Sequence, residues 1–220
     1  MEIICPICGS NNTNPQIFRE KGIFEGWNIE RYQCMFCDVI FGPSSMINMP
    51  IDKLSSMYKS LYSRYGEGET TQYEIATFKL LNPKKQGKYL NYGAGKWSKS
   101  IEILRKEGYN IIGYEPFCPS GSDAVKTIIA GDKFDGIMSH NVIEHFQNPI
   151  NSLIEMKNML TENALMAHST ECYSYKYAES EYHLFFFIRR SIDVLCKKTD
   201  LRLIKRPGEC LVVSNQPYQP

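Results

Sequence analysis

Four of the eight cysteines stand in two pairs, Cys5-Pro-Ile-Cys8 and Cys34-Met-Phe-Cys37. Two such C-x2-C knuckles are the layout of a tetrahedral zinc site. The residues between them, 9–33, exceed the usual gap of about 15–20, which a longer hairpin accommodates. Four thiolates close the coordination sphere and leave no position for a catalytic water, so zinc held by Cys5, Cys8, Cys34 and Cys37 is expected to be structural. The other four, Cys118, Cys172, Cys196 and Cys210, follow no pattern. The start, MEIICPICGSNN, has neither a basic stretch nor an apolar one, so no export signal is expected and a disulfide framework is not anticipated.

A second group is Asn91-Tyr92-Gly93-Ala94-Gly95-Lys96-Trp97, followed twenty residues after Gly95 by Glu115. Glycines between a strand and a helix let the backbone approach a ligand closely, and an acid at the end of the next strand bonds ribose hydroxyls. The third glycine of a dinucleotide fingerprint is replaced by Trp97, so a nucleoside without a pyrophosphate fits better. An ordinary turn with a solvated Glu115 is the alternative. A third group is His140, Asn141, Glu144 and His145, at the end of an apolar stretch, with His183 in a tyrosine-rich segment further on. His145 is the first candidate for a base, because an unperturbed histidine titrates near neutral pH; a structural Glu144-His145 pair is the alternative. His183 is the second candidate, with a packed histidine at a helix start as its alternative.

These residues need elements to hold them. QIFRE and WNIERYQC read as strands around a turn at Gly22 and Gly26. Helical spacing runs over 52–65, capped by Asp52, and over 70–81, ending before Asn82-Pro83. From Lys88 the chain alternates strand (KYLNYG), helix (GKWSKSIEILRKEG), strand (NIIGYE), strand (FDGIMSH), helix (PINSLIEMKNML) and strand (NALMAHST). A long helix, HLFFFIRRSIDVLCKKT, and a closing hairpin, LRLIKR with CLVVSN, complete it. This alternation predicts a doubly wound α/β sheet. The expected organisation is a zinc-binding module over 1–43, a helical linker or cap over 44–86 and the sheet domain over 87–220.

The balance of 25 Lys+Arg against 24 Asp+Glu gives a net charge of +1. Bulk charge therefore predicts no nucleic-acid or membrane partner. Lys84-Lys85 and Arg189-Arg190 are expected on solvated faces, and Phe185, Phe186 and Phe187 in the core. No apolar run nears the roughly 18 residues of a membrane helix. A cytoplasmic protein of undetermined oligomeric state is expected.

The chain resembles the class I S-adenosylmethionine-dependent methyltransferases. Residues 88–95 resemble motif I, and GYNIIGYEP, 108–116, resembles the second strand with its ribose-binding acid. FDGIMSHNVIEHFQNPINSLIEMKNML, 134–160, is similar to a segment of one large bacterial branch, as is YHLFFFIRRSIDVLCKKTDLRLIK, 182–205. Members of that branch often carry an N-terminal zinc-ribbon-like module and modify sugars, sugar nucleotides or surface-polysaccharide precursors. The resemblance implies a Rossmann-like fold, S-adenosylmethionine as cofactor, and cofactor contacts at Asn91, Gly93, Gly95, Glu115, His140 and Asn141. It implies a small-molecule substrate; a zinc-module RNA methyltransferase and a non-enzymatic zinc-ribbon adaptor on a degenerate fold are the alternatives. Asn91 stands where the family has an acid, and only 116–135 separate Glu115 from the next clear strand, leaving the adenine site undefined. Asp132 is a candidate replacement acid there, or a loop residue.

Overall fold

A computed structural model describes residues 2–64, 70–96, 99–117, 124–125 and 127–219. Trp97, Cys118 and residues 65–69 lie outside the described residues. The chain begins with a hairpin, β1 (Glu2–Ile4) and β2 (Asn11–Thr13), followed by β3 (Gln16–Lys21), β4 (Asn28–Gln33) and β5 (Ile40–Phe41). Three helices follow: α1 (Ser44–Ile47), α2 (Ile51–Arg64) and α3 (Thr71–Lys79). Then come β6 (Lys88–Tyr92), α4 (Lys99–Lys106), β7 (Asn110–Tyr114), β8 (Phe134–His140), α5 (Pro149–Asn158) and β9 (Leu160–Ser169). The chain ends with β10 (Phe185–Phe186), α6 (Ser191–Thr199), β11 (Arg202–Lys205) and β12 (Cys210–Ser214).

The main sheet has the order β11-β12-β9-β8-β6-β7. Strands β6 to β9 are parallel and β12 is antiparallel to both neighbours. Side chains of a strand alternate between faces, and here both faces are covered. Tyr89, Met138, Ala167 and Val212 join Phe78 and Leu81 from the α3 segment and Ile101 and Leu104 of α4 in one core. Leu90, Ile137, Met166 and Val213 join Leu153 and Met156 of α5 and Ile192 and Leu195 of α6 in the other. Beyond β7, the described residues of the short 116–135 segment make one parallel bridge, Val125 to Tyr114.

Residues 183–199 were expected as one helix, but the helix begins only at Ser191. Phe185 and Phe186 form β10, which pairs with Phe41 and Ile40 of β5. A short apolar run fits a buried strand as well as a buried helix, so its period alone does not decide. Tertiary context decides here, because Phe185, Phe186 and Phe187 are all fully buried. Phe186 closes against Ile40 and Cys172 on one side, and Phe185 and Phe187 against the larger core on the other. The N-terminal sheet, β10-β5-β4-β3, is thus completed by a strand from late in the chain. Asp52 was expected as a cap; α2 starts at Ile51, so Asp52 lies in its first turn, where a negative charge suits the helix dipole. No helix among the described residues is long and apolar enough to cross a membrane.

Candidate active site and four-cysteine cluster

The two knuckles fold alike. Gly9 N donates to Cys5 O and Asp38 N to Cys34 O, each at 2.9 Å. The residue after each second cysteine is left-handed, Gly9 at φ 80° and Asp38 at φ 66°. This brings Cys5 Sγ to 3.7 Å from Cys37 Sγ and Cys8 Sγ to 3.5 Å from Cys34 Sγ. Bonds of about 2.3 Å from a tetrahedral zinc require sulfurs at nearly this separation, so the four residues fit that ion. A hydrogen bond from Cys37, helped by the backbone N–H groups of Cys8 and Ile7, pulls the Cys5 thiol down to about 5.

This module grips the segment that carries His183. Arg31 of β4 is fully buried. Its guanidinium donates to the carbonyls of Ala178 (2.7 Å), Ser180 (2.7 Å) and His183 (2.9 and 3.2 Å). Glu181, also fully buried, accepts from the backbone N–H groups of Phe24 and Glu25 at 3.1 and 2.8 Å. Arg190 makes an ion pair with Asp38, 2.7 Å apart. Arg189 and Arg190 are both exposed, as expected of a solvated face, and Arg190 makes this pair at the surface.

At the carboxyl ends of β6 and β7, Gly93 (φ 76°) and Gly95 (φ 63°) form a turn that other residues rarely adopt. Gly93 N and Ala94 N donate to Tyr114 O at 2.7 and 3.0 Å. A side chain on Gly93 would meet Val142 at 2.5 Å. The Glu115 carboxylate faces this turn, accepting from Gly95 N at 3.3 Å and from Phe117 N at 3.0 Å. Burial raises its pKa against the effect of those bonds. Tyr62 of α2 reaches the same carboxylate at 3.4 Å. Asn141 sits at φ 51° after β8, with its side-chain oxygen buried and unpartnered. His140 Nδ1 lies 2.8 Å from Ser169 Oγ, and its ring stacks on Tyr73. A buried acid facing a permissive glycine turn, with an orphaned amide oxygen at the same edge, fits a nucleoside with a polar tail. Asn91 turns elsewhere: its amide donates to Glu74 of α3 at 3.1 Å, where Ser100 also bonds. The acid absent from position 91 of the strand is therefore present beside it, on a helix. Asp132 pairs with Lys88 at 2.7 Å.

A second cluster follows β8. The turn at Ile143–His145 places Glu144 and His145 beside His183, and one potential ligand atom from each lies within 4.8 Å of the others. His145 Nδ1 is 2.7 Å from Tyr182 O, and His183 Nδ1 is 2.9 Å from Tyr177 O. Carbonyls only accept, so the neutral rings carry their protons on Nδ1 and present Nε2 lone pairs. Burial lowers His145 to about 4, and burial with the neighbouring His145 lowers His183 to about 3. Glu144 is 1% exposed and raised by burial to about 8. One of its oxygens accepts from Thr170 Oγ1 at 2.7 Å; the other is buried and unpartnered.

Tyr58 of α2 connects the two clusters. Its ring stacks on Phe117 with centroids 4.8 Å apart, meets Tyr182 at 5.3 Å and meets His145 edge-on at 6.4 Å. Sequence reasoning missed Tyr58, Tyr62, Arg31 and Glu74. The tyrosines lie on one helix face, four residues apart, which was the available signal; nothing local marks Arg31 or Glu74. The fourth histidine, His168, is fully buried and bonds Ser139 Oγ at 2.8 Å.

A family model described as a methyltransferase domain matches residues 68–206. No curated protein matches the sequence. Among solved structures, the 1,6-didemethyltoxoflavin-N1-methyltransferase of Burkholderia thailandensis, with 1,6-didemethyltoxoflavin and S-adenosylhomocysteine bound, is similar at a TM-score of 0.63. It is 10% identical, over 90% of this chain and 99% of that one. The CcbJ methyltransferase of Streptomyces caelestis is similar at 0.50 and 10% identical, over 73% of this chain and 96% of that one. At such identity these likenesses speak for the fold.

Proposed function

This chain belongs to the methyltransferase-domain family, and from that premise we propose that it transfers the methyl group of S-adenosylmethionine to a small polar metabolite of the sugar, sugar-nucleotide or polysaccharide-precursor class. The observation that carries the reading is the Glu115 carboxylate hydrogen-bonded to Gly95 N across the adjacent ends of β6 and β7. Open α/β sheets bind ligands at that edge. Gly93, Gly95, Glu115 and the orphaned oxygen of Asn141 hold the cofactor, with His140 beside them.

S-adenosylmethionine, when bound, supplies an electrophilic methyl group. The protein's task is then to align a nucleophile and deal with its proton. We assign the acceptor to the neighbourhood of Tyr58, Tyr182, His145 and His183, whose rings meet one another. Aromatic faces with a few converging polar atoms suit a small polar molecule. His145 and His183, held at Nδ1 by the Tyr182 and Tyr177 carbonyls respectively, keep Nε2 unprotonated beside Glu144. The resemblance of 134–160 and 182–205 supports the sugar-related class; the ligand of the Burkholderia enzyme is in keeping only with a small molecule. The four cysteines hold a structural zinc, whose module fixes the His183 segment through Arg31.

A screen with methyl-labelled S-adenosylmethionine tests the substrate class. Label is expected in hydroxyl- or amine-bearing sugars or their nucleotides. Label in RNA, with binding that falls steeply as salt rises, would contradict it.

A further inference from the structure

Glu144, His145 and His183 carry features that an acid–base pair does not require. A buried polar atom without a partner calls for an explanation. The Glu144 carboxylate has one such oxygen, in a side chain 1% exposed. His145 Nε2 lies 3.9 Å from its other oxygen. Both histidines donate Nδ1–H to a backbone carbonyl, the arrangement that fixes a metal-ligating imidazole with Nε2 outward. The two carbonyls come from the Tyr177–Tyr182 stretch, which Arg31 and Glu181 clamp to the N-terminal module. Thr170 holds the first carboxylate oxygen and leaves the second unbonded. The donor set is thus oriented by backbone and hydroxyl partners, with the carboxylate oxygen nearer His145 bonded to Thr170 and the other left without a partner.

We propose that Glu144, His145 and His183 form a second metal site, binding one divalent transition cation with two imidazole nitrogens and one carboxylate. Two histidines and a carboxylate suit zinc, iron, cobalt or manganese. Ligand atoms within 4.8 Å of one another need only small side-chain rotations to reach the roughly 3–4 Å separations that bonds of about 2.0–2.2 Å impose. Three protein ligands leave a coordination position open, unlike the four thiolates of the N-terminal site. The site lies among the residues assigned to the methyl acceptor, and an oxygen of the acceptor is its expected further ligand. The placement beside an acceptor rests on the methyltransferase reading; ion binding itself does not.

The test is a titration of the metal-depleted full-length protein with Co2+, followed by absorption. Cobalt held by four thiolates shows strong sulfur-to-metal charge transfer, whereas a nitrogen–oxygen site shows only weaker visible bands. The wild type is expected to bind two equivalents, one of each kind. Glu144→Gln and His183→Ala should each weaken the nitrogen–oxygen equivalent by about tenfold or more, with the thiolate equivalent unchanged. Saturation of the wild type at one equivalent would overturn the proposal, whatever the variants do. So would a second equivalent that keeps wild-type affinity in either variant. Calorimetry with S-adenosylmethionine separates the two readings. Cofactor binding with a single cobalt overturns the second site alone, whereas two cobalts without cofactor binding overturn the methyltransferase assignment.

Discussion

Among the described residues, two clusters of metal-capable side chains occur, and they are built in opposite ways. Cys5, Cys8, Cys34 and Cys37 come from two matching knuckles, each closed by its own backbone hydrogen bond. Local geometry makes half of the cluster at a time, and the four sulfurs face one another. Glu144, His145 and His183 come from the end of a central strand and from a loop almost forty residues later. Their partners, Thr170, Tyr182 and Tyr177, orient them from behind. The first cluster closes on itself, as the structural role proposed for it requires; the second is proposed to stay open toward a ligand. Yet the second depends on the first, because Arg31 and Glu181 tie the His183 loop to the cysteine module.

The dependence can be broken at the module. Cys34→Ser, or removal of zinc, should cause the largest effect, because ion binding there is also folding free energy. Hydrogen exchange should accelerate by orders of magnitude in residues 2–41 and, through Arg31, in 177–187, while β6, β8 and β9 stay protected. Acceleration confined to 2–41 would show that the two clusters are independent.

His145→Ala acts on the open cluster alone. It should lower kcat by about 10²–10⁴-fold and leave cofactor affinity unchanged, as steady-state kinetics and calorimetry would show. Turnover within about threefold of wild type would remove His145 from the reaction. Arg31→Ala sharpens the link between the regions. It removes four charge-assisted bonds, two of them fully buried, and denaturant unfolding should report a loss of about 3 kcal/mol. Arg31→Lys, with no planar fork, should recover only part of it.

Much of this contrast was legible in the sequence, for the same physical reason that divides the clusters. Paired cysteines announce themselves because each knuckle is local. The glycine turn and Glu115 were legible because strand–turn–helix–strand fixes their register. The Glu144 and His183 pairing was not, since it depends on β10 docking against β5. The apolar run Leu184–Ile188 fits a helix or a buried strand equally, and only the partner strand decides. Glu74 beside Asn91 was also hidden, because an acid supplied from a neighbouring helix has no fixed spacing to its strand.

The smallest expected effect separates structural from chemical histidines. Burial lowers His168 to about 4, below its unfolded value near 6.5. The unfolded chain binds the proton more tightly, so this contribution is present above pH 6.5 and is lost as pH falls toward 4. Stability should therefore drop over that window by about 2–3 kcal/mol at most from this residue. His168→Gln should flatten the slope in unfolding measurements across pH 4–7 without altering cofactor binding; an unchanged slope would contradict the burial argument.

The central claim is that the edge formed by Gly93, Gly95 and Glu115 is a cofactor site, and calorimetry with S-adenosylmethionine tests it most directly. The wild type should bind one equivalent. Glu115→Ala, which removes a buried carboxylate held by Gly95 N and Phe117 N, should weaken binding by about 1.5–3 kcal/mol. Wild-type protein that binds no S-adenosylmethionine, or binding unchanged by Glu115→Ala, would contradict the account.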